Sequence, residues 1–310
     1  MRNCDHNILM PITLNPISRR KFLAGSVATS LGLLLSNDLF AADAAIDPHR
    51  LALLSDIHIA ADPMLRARDV VMYDHLTQVC GEVIALDPKP TAAIINGDCA
   101  YLHGEITDYQ TLLKPLATLR ERGFPIHLAM GNHDSREHLW KTVADSESHV
   151  EPLPDRQVIV LEFPRANLFL LDSLDETNKT PGVLGEKQLQ WLGSALDARM
   201  DKPSIVMVHH NPDEKAKPSG LTDTKELLEL LIPRRNVKAL FYGHTHVWEI
   251  AERSGLHCVN LPAVAYVFKS GEPSGWVDAH LLENGISLEL HTIDPAHPKH
   301  GDKADLNWRA

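Results

Sequence analysis

The chain has 310 residues, 44% of them hydrophobic and 23% charged, and is therefore long enough to bury a sizeable core. Its formal net charge is −11 at pH 7, and the part after residue 44 is more negative by one charge, because residues 1–44 carry four basic and three acidic side chains. Such an acidic protein is a poor candidate for duplex nucleic-acid binding, which depends on Lys and Arg neutralising phosphates.

The N-terminal segment has the pattern of a secretory signal. Ser18-Arg19-Arg20-Lys21-Phe22-Leu23 opens a moderately apolar run, and small residues follow at Ala41-Ala42-Asp43-Ala44. Adjacent arginines favour the twin-arginine route, which exports folded proteins. We therefore expect residues 1–44 to be a twin-arginine-type signal peptide that engages the twin-arginine export machinery and is cleaved near Ala42 to Ala44. The mature protein is then periplasmic or otherwise exported, without a stable membrane span; an uncleaved anchor is the alternative.

Cysteines beyond the signal are few. Cys80, Cys99 and Cys258 contain no C-x-x-C pair and cannot form a full disulfide framework, so we expect buried free thiols.

Apolar runs and amphipathic stretches alternate between residues 51 and 231, which predicts βα units. The predicted strands are Leu51–Leu54, Ala92–Ile95, Ile126–Ala129, a hairpin of Gln157–Glu162 and Asn167–Leu171, and Ile205–Val208. The predicted helices are Arg66–Leu86, Tyr109–Arg122, Glu186–Arg199 and Thr224–Leu231, and Ser135–His149 is a polar stretch.

From residue 239 the pattern becomes strand after strand. These strands are Ala239–Tyr242, Trp248–Ala251, Cys258–Leu261, Trp276–Leu282 and Ser287–Thr292, with a hairpin turn at Asn284-Gly285. Early βα alternation followed by antiparallel strands predicts an α/β protein with two mixed sheets packed face to face and helices outside. We expect one domain over residues 45–293 and a loosely held polar tail over residues 294–310.

Metal-ligating side chains follow five of the predicted strands. They lie in Asp56-Ile57-His58, Gly97-Asp98, Gly131-Asn132-His133-Asp134, His209-His210 and Gly243-His244-Thr245-His246. Loops at the carboxyl ends of such strands are the usual place for a site in an α/β protein. Asp and His together suit Zn, Mn or Fe, and the groups suffice for two ions that share a bridging carboxylate and activate water.

The ordered set D-x-H, G-D, G-N-H-D, H and G-H-x-H resembles the calcineurin-like metallophosphoesterase superfamily from about residue 51 to 292. The resemblance implies a four-layer α/β/β/α sandwich and two metal ions of Fe, Mn or Zn type. It implies ligands for a first metal, ligands for a second metal and one bridging residue. The first set is Asp56, His58 and His246, the second is Asn132, His209 and His244, and Asp98 bridges.

The same resemblance implies roles beside the metals. His133 is similar to the family's general acid or charge stabiliser, and Asp134 is expected to orient His133 through its second ring nitrogen. Capping of the following helix is the alternative for Asp134. His210 is either substrate-side or structural. Tyr101 fits the G-D-x-x-Y spacing of purple acid phosphatases, but His58 fills the slot that those enzymes leave open.

These observations predict an exported binuclear phosphoesterase that hydrolyses small phosphodiesters by attack of a metal-bridging hydroxide, with His133 as general acid. The motifs resemble the branch that includes bacterial cyclic-nucleotide and glycerophosphodiester phosphodiesterases. One alternative is a broad phosphomonoesterase. The other is a catalytically silent metal-binding or interaction protein on the same fold.

Overall fold

A computed structural model describes residues 12–17, 45–143, 153, 156–215 and 217–310 of the chain. Most of the expected signal peptide, residues 1–11 and 18–44, lies outside the described residues, as does the end of the polar stretch from residue 144 to 149. The described strands are β1 (Ile12–Leu14), β2 (Ile46–Leu54), β3 (Arg66–Ala67), β4 (Val70–Val71), β5 (Lys89–Asn96), β6 (Ile126–Ala129), β7 (Ile159–Glu162), β8 (Asn167–Leu170), β9 (Ser204–Met207), β10 (Val237–Tyr242), β11 (Glu249–Arg253), β12 (Leu256–Asn260), β13 (Gly275–Leu281), β14 (Gly285–Thr292) and β15 (Lys303–Asn307). The described helices are α1 (Met72–Ala85), α2 (Ile106–Glu121), α3 (Arg136–Thr142), α4 (Glu186–Asp197) and α5 (Thr224–Leu231).

These strands form two large mixed sheets. The first has the strand order β1-β6-β5-β2-β13-β14-β15, and the second has the order β11-β12-β10-β9-β8-β7. Strands β2, β5 and β6 run parallel to one another, as do β8, β9 and β10. The carboxyl ends of parallel strands meet at one edge, so each sheet delivers its following loops to one rim.

Three apolar clusters separate the layers. The middle cluster, with Leu53, Ile94 and Phe241, lies between the inner faces of the two sheets. One outer cluster packs α1, α2 and α3 on the first sheet, and the other packs α4 and α5 on the second. The successive layers are helices, sheet, sheet and helices, which confirms the predicted α/β/β/α sandwich.

Short-range patterning explains the helices. In α1 the buried side chains Leu76, Val79, Cys80 and Val83 recur at helical spacing and cover the outer face of the first sheet. Ser135 caps helix α3, and its hydroxyl accepts a hydrogen bond from the His138 backbone N–H. Cys80, Cys99 and Cys258 are buried free thiols, as expected.

Two predicted boundaries are wrong. The expected helix over Arg66–Leu86 begins only at Met72, because Arg66–Val71 forms the β3–β4 hairpin, with Arg68 and Asp69 at positive φ in its turn. The expected loose tail contains β15, which pairs antiparallel with β14 from Gly285 to Glu289. Pairing with a sheet edge fixes this short polar segment, whose polar and apolar side chains alternate over only five residues.

An unexpected strand comes from the predicted signal. Strand β1 pairs antiparallel with β6 at the sheet edge, and Ile12 and Leu14 are buried in the outer core. Across the described residues, no helix is both long and apolar enough to cross a membrane.

Candidate metal centre

Loops from both sheets meet at one rim. Asp56 and His58 follow β2, Asp98 follows β5, and Asn132 to Asp134 follow β6 of the first sheet. His209 follows β9, and His244 and His246 follow β10 of the second sheet. The backbone N–H of His58 donates to the Asp98 carbonyl at 2.9 Å, and that of Gly243 donates to the His209 carbonyl at 2.9 Å. Backbone pairing thus continues past the strand ends and holds neighbouring loops in register.

Five side chains at this rim stand on backbone with positive φ, which non-glycine residues rarely adopt. They are Asp56, His58, Asp98, His244 and His246, with φ from 46° to 68°. Each such residue stores about 1–3 kcal/mol of strain that the surrounding fold must hold, and such strain clusters at functional sites.

Glycines allow the loops to approach closely. A Cβ at Gly131 would lie 2.1 Å from Oδ1 of Asp98, and one at Gly97 would lie 2.7 Å from the His209 ring. Gly97 also has a φ of +82°. Side chains at either position would displace the groups that the strands deliver.

The first group of candidate ligands is Asp56, His58 and His246. Their ligand atoms lie within 4.8 Å of one another, and none of the three residues is more than 1% exposed. Nε2 of His246 lies 3.3 Å from Oδ1 of Asp56 and 3.1 Å from Nε2 of His58. Ser55 Oγ donates to the other Asp56 oxygen, Oδ2, and the His244 backbone N–H is shared between both oxygens, so Oδ1 is the one that faces the histidines.

The second group is Asp98, His209 and His244, whose ligand atoms also lie within 4.8 Å of one another. Oδ2 of Asp98 lies 3.3 Å from Nε2 of His209 and 3.6 Å from Nε2 of His58. Asp98 therefore stands between the two groups. Asn132 is 4% exposed, and its buried Oδ1 atom has no hydrogen-bond partner among the described residues.

Backbone carbonyls fix the tautomers of three histidines. Nδ1 lies 2.9 Å from the Asn96 carbonyl in His209, 2.5 Å from the Tyr266 carbonyl in His246, and 3.4 Å from the Tyr101 carbonyl in His58. Each Nδ1 then carries a proton, so in the neutral ring the lone pair is on Nε2, the atom that faces a carboxylate or another Nε2. Nitrogen and carboxylate oxygen atoms thus converge at 3.1–3.6 Å from one another, and a donor set of this kind fits metal ions.

Burial and charge shift the titration of these groups in opposite directions. Burial alone would raise the pKa of Asp98, but His209 and His58 bring it well below its ordinary value. Burial works against protonation of His209, yet Asp98 and Asp56 raise its pKa to about 10. Burial lowers the pKa of His58 and of His244 to about 4. Without a metal, the centre therefore holds ionised carboxylates, neutral His58 and His244, and a protonated His209 that must release its proton to become a ligand.

His133 lies beside this centre. Its backbone N–H donates to Oδ1 of Asp98 at 2.9 Å, and its ring meets the His58 ring edge-on at 5.3 Å. The side chain lines an open cavity of about 410 Å³, whose other lining residues include Asn211, Lys215 and Phe268. This cavity is the space in which a substrate can reach the centre.

The expectation that Asp134 orients His133 is wrong. Nδ1 of His133 lies 3.0 Å from the Leu102 carbonyl oxygen. The Asp134 carboxylate is fully buried and accepts hydrogen bonds from the backbone N–H groups of Cys99, Ala100 and Gly131 and from the Tyr109 hydroxyl. Burial and the Asp98 charge raise the pKa of Asp134 to about 6.

The alternative helix-cap role of Asp134 is also wrong, because Ser135 caps α3. Asp134 instead ties the loop after β5 to the loop after β6. It is therefore a structural carboxylate between two ligand-bearing loops.

The remaining candidates lie around the centre. His210 is buried, with Nδ1 2.7 Å from the Ser173 hydroxyl, while its neighbour His209 is the one grouped with Asp98. Tyr101 packs against the outer core, and its carbonyl faces His58.

Sequence patterns did not reveal Tyr266, Phe268 or Arg68. The Tyr266 ring stacks on His58 at 5.1 Å, Phe268 stacks on His246 at 4.1 Å, and the Arg68 guanidinium lies 4.8 Å from the Phe268 ring centroid. The sequence signal that could have identified Tyr266 and Phe268 is their position just before the Gly- and Pro-containing stretch 269–275.

Comparison with known proteins adds a family. A sequence family described as calcineurin-like phosphoesterase matches residues 49–248. A probable cyclic nucleotide phosphodiesterase of Rhodopseudomonas palustris is 30% identical over 270 residues, covering 78% of this chain and 91% of that protein. The 3',5'-cyclic adenosine monophosphate phosphodiesterase CpdA of Pseudomonas aeruginosa is 26% identical over 248 residues, covering 78% and 85%. A probable glycerophosphodiester phosphodiesterase, GpdQ, of Arcobacter nitrofigilis is 28% identical over 198 residues, covering 62% and 70%.

Solved structures share the fold. A dimetal phosphatase from Danio rerio superposes with a TM-score of 0.62 at 15% identity, covering 85% of this chain and all of that one. GAP50, described as the anchor in the inner membrane complex of Plasmodium, superposes with a TM-score of 0.56 at 14% identity, covering 84% and 89%. These likenesses concern the sandwich alone.

Proposed function

Since the chain belongs to the calcineurin-like phosphoesterase family, and is therefore a metal-dependent phosphoester hydrolase, we propose that it acts on phosphodiesters with two metal ions. The proposed ligands of the first ion are Asp56, His58 and His246, and those of the second are Asn132, His209 and His244. Asp98 bridges. The observation that carries this proposal is the position of Asp98, whose Oδ2 lies 3.3 Å from His209 Nε2 and 3.6 Å from His58 Nε2.

When bound, a pair of Fe, Mn or Zn ions would supply an activated water and would compensate the charge on the phosphoryl oxygens. The chain's own residues bind and orient the ester and handle the proton. Buried carboxylates and histidines keep one wall of the cavity fixed, with their tautomers set by backbone carbonyls. Such a preorganised wall needs little rearrangement when charge develops on the phosphoryl group.

We propose His133 as the general acid. The Leu102 carbonyl keeps Nδ1 protonated, so the proton available for the leaving alkoxide is the one on Nε2 of the imidazolium. Donation returns the ring to the neutral Nδ1–H tautomer that the carbonyl already favours. Asp98, which accepts from the His133 backbone, places the acid beside the proposed bridging position.

Two observations favour a diester over a monoester. Three relatives that are 26–30% identical to this chain are named as cyclic nucleotide or glycerophosphodiester phosphodiesterases. Among the described residues that line the cavity, Lys215 is the lone Lys or Arg, and its side chain is 76% exposed. A monoanionic diester asks for less compensating charge than a dianionic monoester.

We also propose export through the twin-arginine route, supported by Ser18-Arg19-Arg20-Lys21-Phe22-Leu23 and the small residues near Ala42 to Ala44. Intact-mass measurement on protein recovered from the periplasm tests cleavage. An exported chain that retains Met1 would contradict it.

The test of the catalytic proposal is a substrate panel on purified protein whose metals have been quantified. Bis-p-nitrophenyl phosphate, p-nitrophenyl phosphate and 3',5'-cyclic nucleotides are compared at equal concentration. We expect kcat/KM for the diesters to exceed that for the monoester by at least about tenfold. The reverse order would favour the phosphomonoesterase. No turnover of any ester by metal-loaded protein would favour the catalytically silent alternative.

A further inference from the structure

A segment of the predicted signal peptide covers one edge of the first sheet. Strand β1 pairs with β6 through Ile12 opposite Leu128 and Leu14 opposite Ile126. Ile12 is 0% exposed and Leu14 is 2% exposed, and both join the outer core. The other side of β6 is already paired with β5.

Contacts beyond the strand extend the docking. The Ile17 backbone N–H donates to the Arg120 carbonyl at 3.0 Å, and Nε of Arg120 donates to the Asn15 carbonyl at 2.8 Å. The Thr13 hydroxyl lies 2.9 Å from Nδ1 of His127. Residues 12–17 therefore contact both β6 and the end of α2.

An open β6 would be a liability. Without β1, its backbone N–H and C=O groups would form an unpaired edge, the kind of surface that accepts another strand. Two apolar side chains on the same face, Ile126 and Leu128, are at most 1% exposed. Residues 12–17 carry no charge, and Pro11 and Pro16 flank the strand, which suits a short extended segment at an edge.

We propose that the β6 edge is an acceptor site for an extended apolar strand, and that its occupant in the folded precursor is residues 12–17 of the same chain. In the sequence, 27 residues, 18–44, connect this segment to Ala45, so a cut within them leaves only noncovalent contacts between residues 12–17 and β6. Arg19 follows Ile17 by two positions, within about 7 Å of chain length. Docking on a finished sheet thus couples the position of the twin-arginine pair to folding.

The test starts from the full chain and cuts it between residues 17 and 45. A specific protease site is inserted after Ser36, the folded protein is cut, and the two parts are analysed by size exclusion. The N-terminal fragment is expected to co-elute with the enzyme, and hydrogen exchange is expected to show protected amides at Ile126 and Leu128. Immediate separation of the fragment, with β6 amides as protected as before the cut, would overturn the proposal.

Matched variants sharpen the result. Leu14→Asp buries a charge at the docking face, whereas Pro16→Asp adds the same charge at an exposed position. Leu14→Asp should release the fragment, expose the β6 amides and lower the Tm by about 5 °C or more, while Pro16→Asp should behave like the parent. Equal retention in both variants would contradict the proposal. If Leu14→Asp does not fold, co-elution of the fragment and protection of the β6 amides in the parent and in Pro16→Asp still test the proposal.

A synthetic peptide of residues 10–17 identifies the occupant. Added to cut protein from which the fragment has been washed, it should restore β6 protection, and the peptide carrying Leu14→Asp should not. If the fragment-free protein instead forms a dimer that the peptide does not dissociate, the β6 edge binds a second copy of the chain and the assigned occupant is wrong.

Discussion

Nδ1 of His133 lies 3.0 Å from the carbonyl oxygen of Leu102, while the carboxylate of the adjacent Asp134 turns into the protein and accepts from backbone amides. Two consecutive residues of one motif therefore have separate tasks. The histidine faces the cavity, and the aspartate holds the loops.

Replacement of His133 tests the acid role. His133→Ala removes the proposed proton donor but no proposed ligand, so kcat should fall by about 10²–10⁴-fold with metal content unchanged. The decrease should be smaller for a diester with a p-nitrophenolate leaving group, which needs little protonation. His103→Ala, at an exposed nearby position, serves as the control. Equal kcat in His133→Ala and the parent would refute the role.

Replacement of Asp98 should affect binding as well as rate. Asp98→Ala removes the carboxylate that stands between the two ligand groups, so metal content and kcat should both fall. Elemental analysis after dialysis, combined with the diester assay, measures the two effects. Asp62→Ala, at an exposed position, is the matched control. Full metal content in Asp98→Ala would contradict a bridging role.

Asp134 should matter for stability and for metal affinity. Asp134→Asn replaces a buried acceptor of several N–H groups with an amide that offers one acceptor oxygen. We expect a loss of about 2–4 kcal/mol in the free energy of unfolding and a 10–100-fold weaker metal affinity. Tyr109→Phe removes one of the contacts and should lose about 1 kcal/mol. Urea unfolding and metal titration test both, and equal losses would argue against a carboxylate that joins the loops.

The two sheets are also joined by Arg136 of α3 and the buried Asp172 that follows β8. Nε of Arg136 donates to Asp172 at 2.6 Å and Nη2 donates at 2.8 Å. Arg136→Met removes the charged partner of the buried carboxylate, leaves it with the backbone N–H groups of Gln157 and Leu174, and should lower the free energy of unfolding by about 3–5 kcal/mol. Arg199→Met breaks a more exposed pair with Glu162 and should lower it by less than about 1 kcal/mol. Similar losses in the two variants would show that burial of Asp172 is not decisive.

His127 gives a pH dependence that is separate from the metal centre. Burial lowers its pKa to about 4, so the folded protein keeps the ring neutral while the unfolded chain protonates near pH 6.5. Its contribution to stability is constant above about pH 6.5, decreases as the pH falls to about 4, and then levels off after a loss of about 3 kcal/mol.

Metal-free parent and His127→Gln are compared by urea unfolding at pH 7, 5.5 and 4.5. The other buried histidines contribute to both proteins, so only the difference between them reports His127. Identical pH slopes would mean that the ring is already solvated.

The sequence predicted much of the architecture, because buried parallel strands are continuous apolar runs and their ends carry polar residues. Ile205–Val208 followed by His209 is one example. Strand β15 was missed because Lys303–Asn307 is a short, mostly polar segment in a Pro- and His-containing tail, and its pairing with β14 is not visible in the sequence. The β3–β4 turn was missed because Arg68 and Asp69 adopt positive φ without glycine.

At the centre, strand ends identified the histidines and carboxylates that the structure brings together. The contacts of the Asp134 carboxylate could not be predicted, because a sequence does not show whether a side chain points to the cavity or to the backbone of a neighbouring loop. The contacts of Tyr266 and Phe268 depend on a segment after β12 that has neither a strand nor a helix pattern. Their positions follow from backbone bonds of residues 264 and 265 to Ser55 and Asp56.

The proposed ligands come from different layers: Asp56, His58, Asp98 and Asn132 from the first sheet, and His209, His244 and His246 from the second. An ion held by both sets would be a reversible crosslink between the two sheets, and its binding would stabilise the folded state. Metal supply then sets resistance to unfolding as well as turnover: free metal at 100 times its Kd would add about 2.7 kcal/mol per site. A metal-starved cell would hold this enzyme in a form that is both inactive and easier for proteases to open.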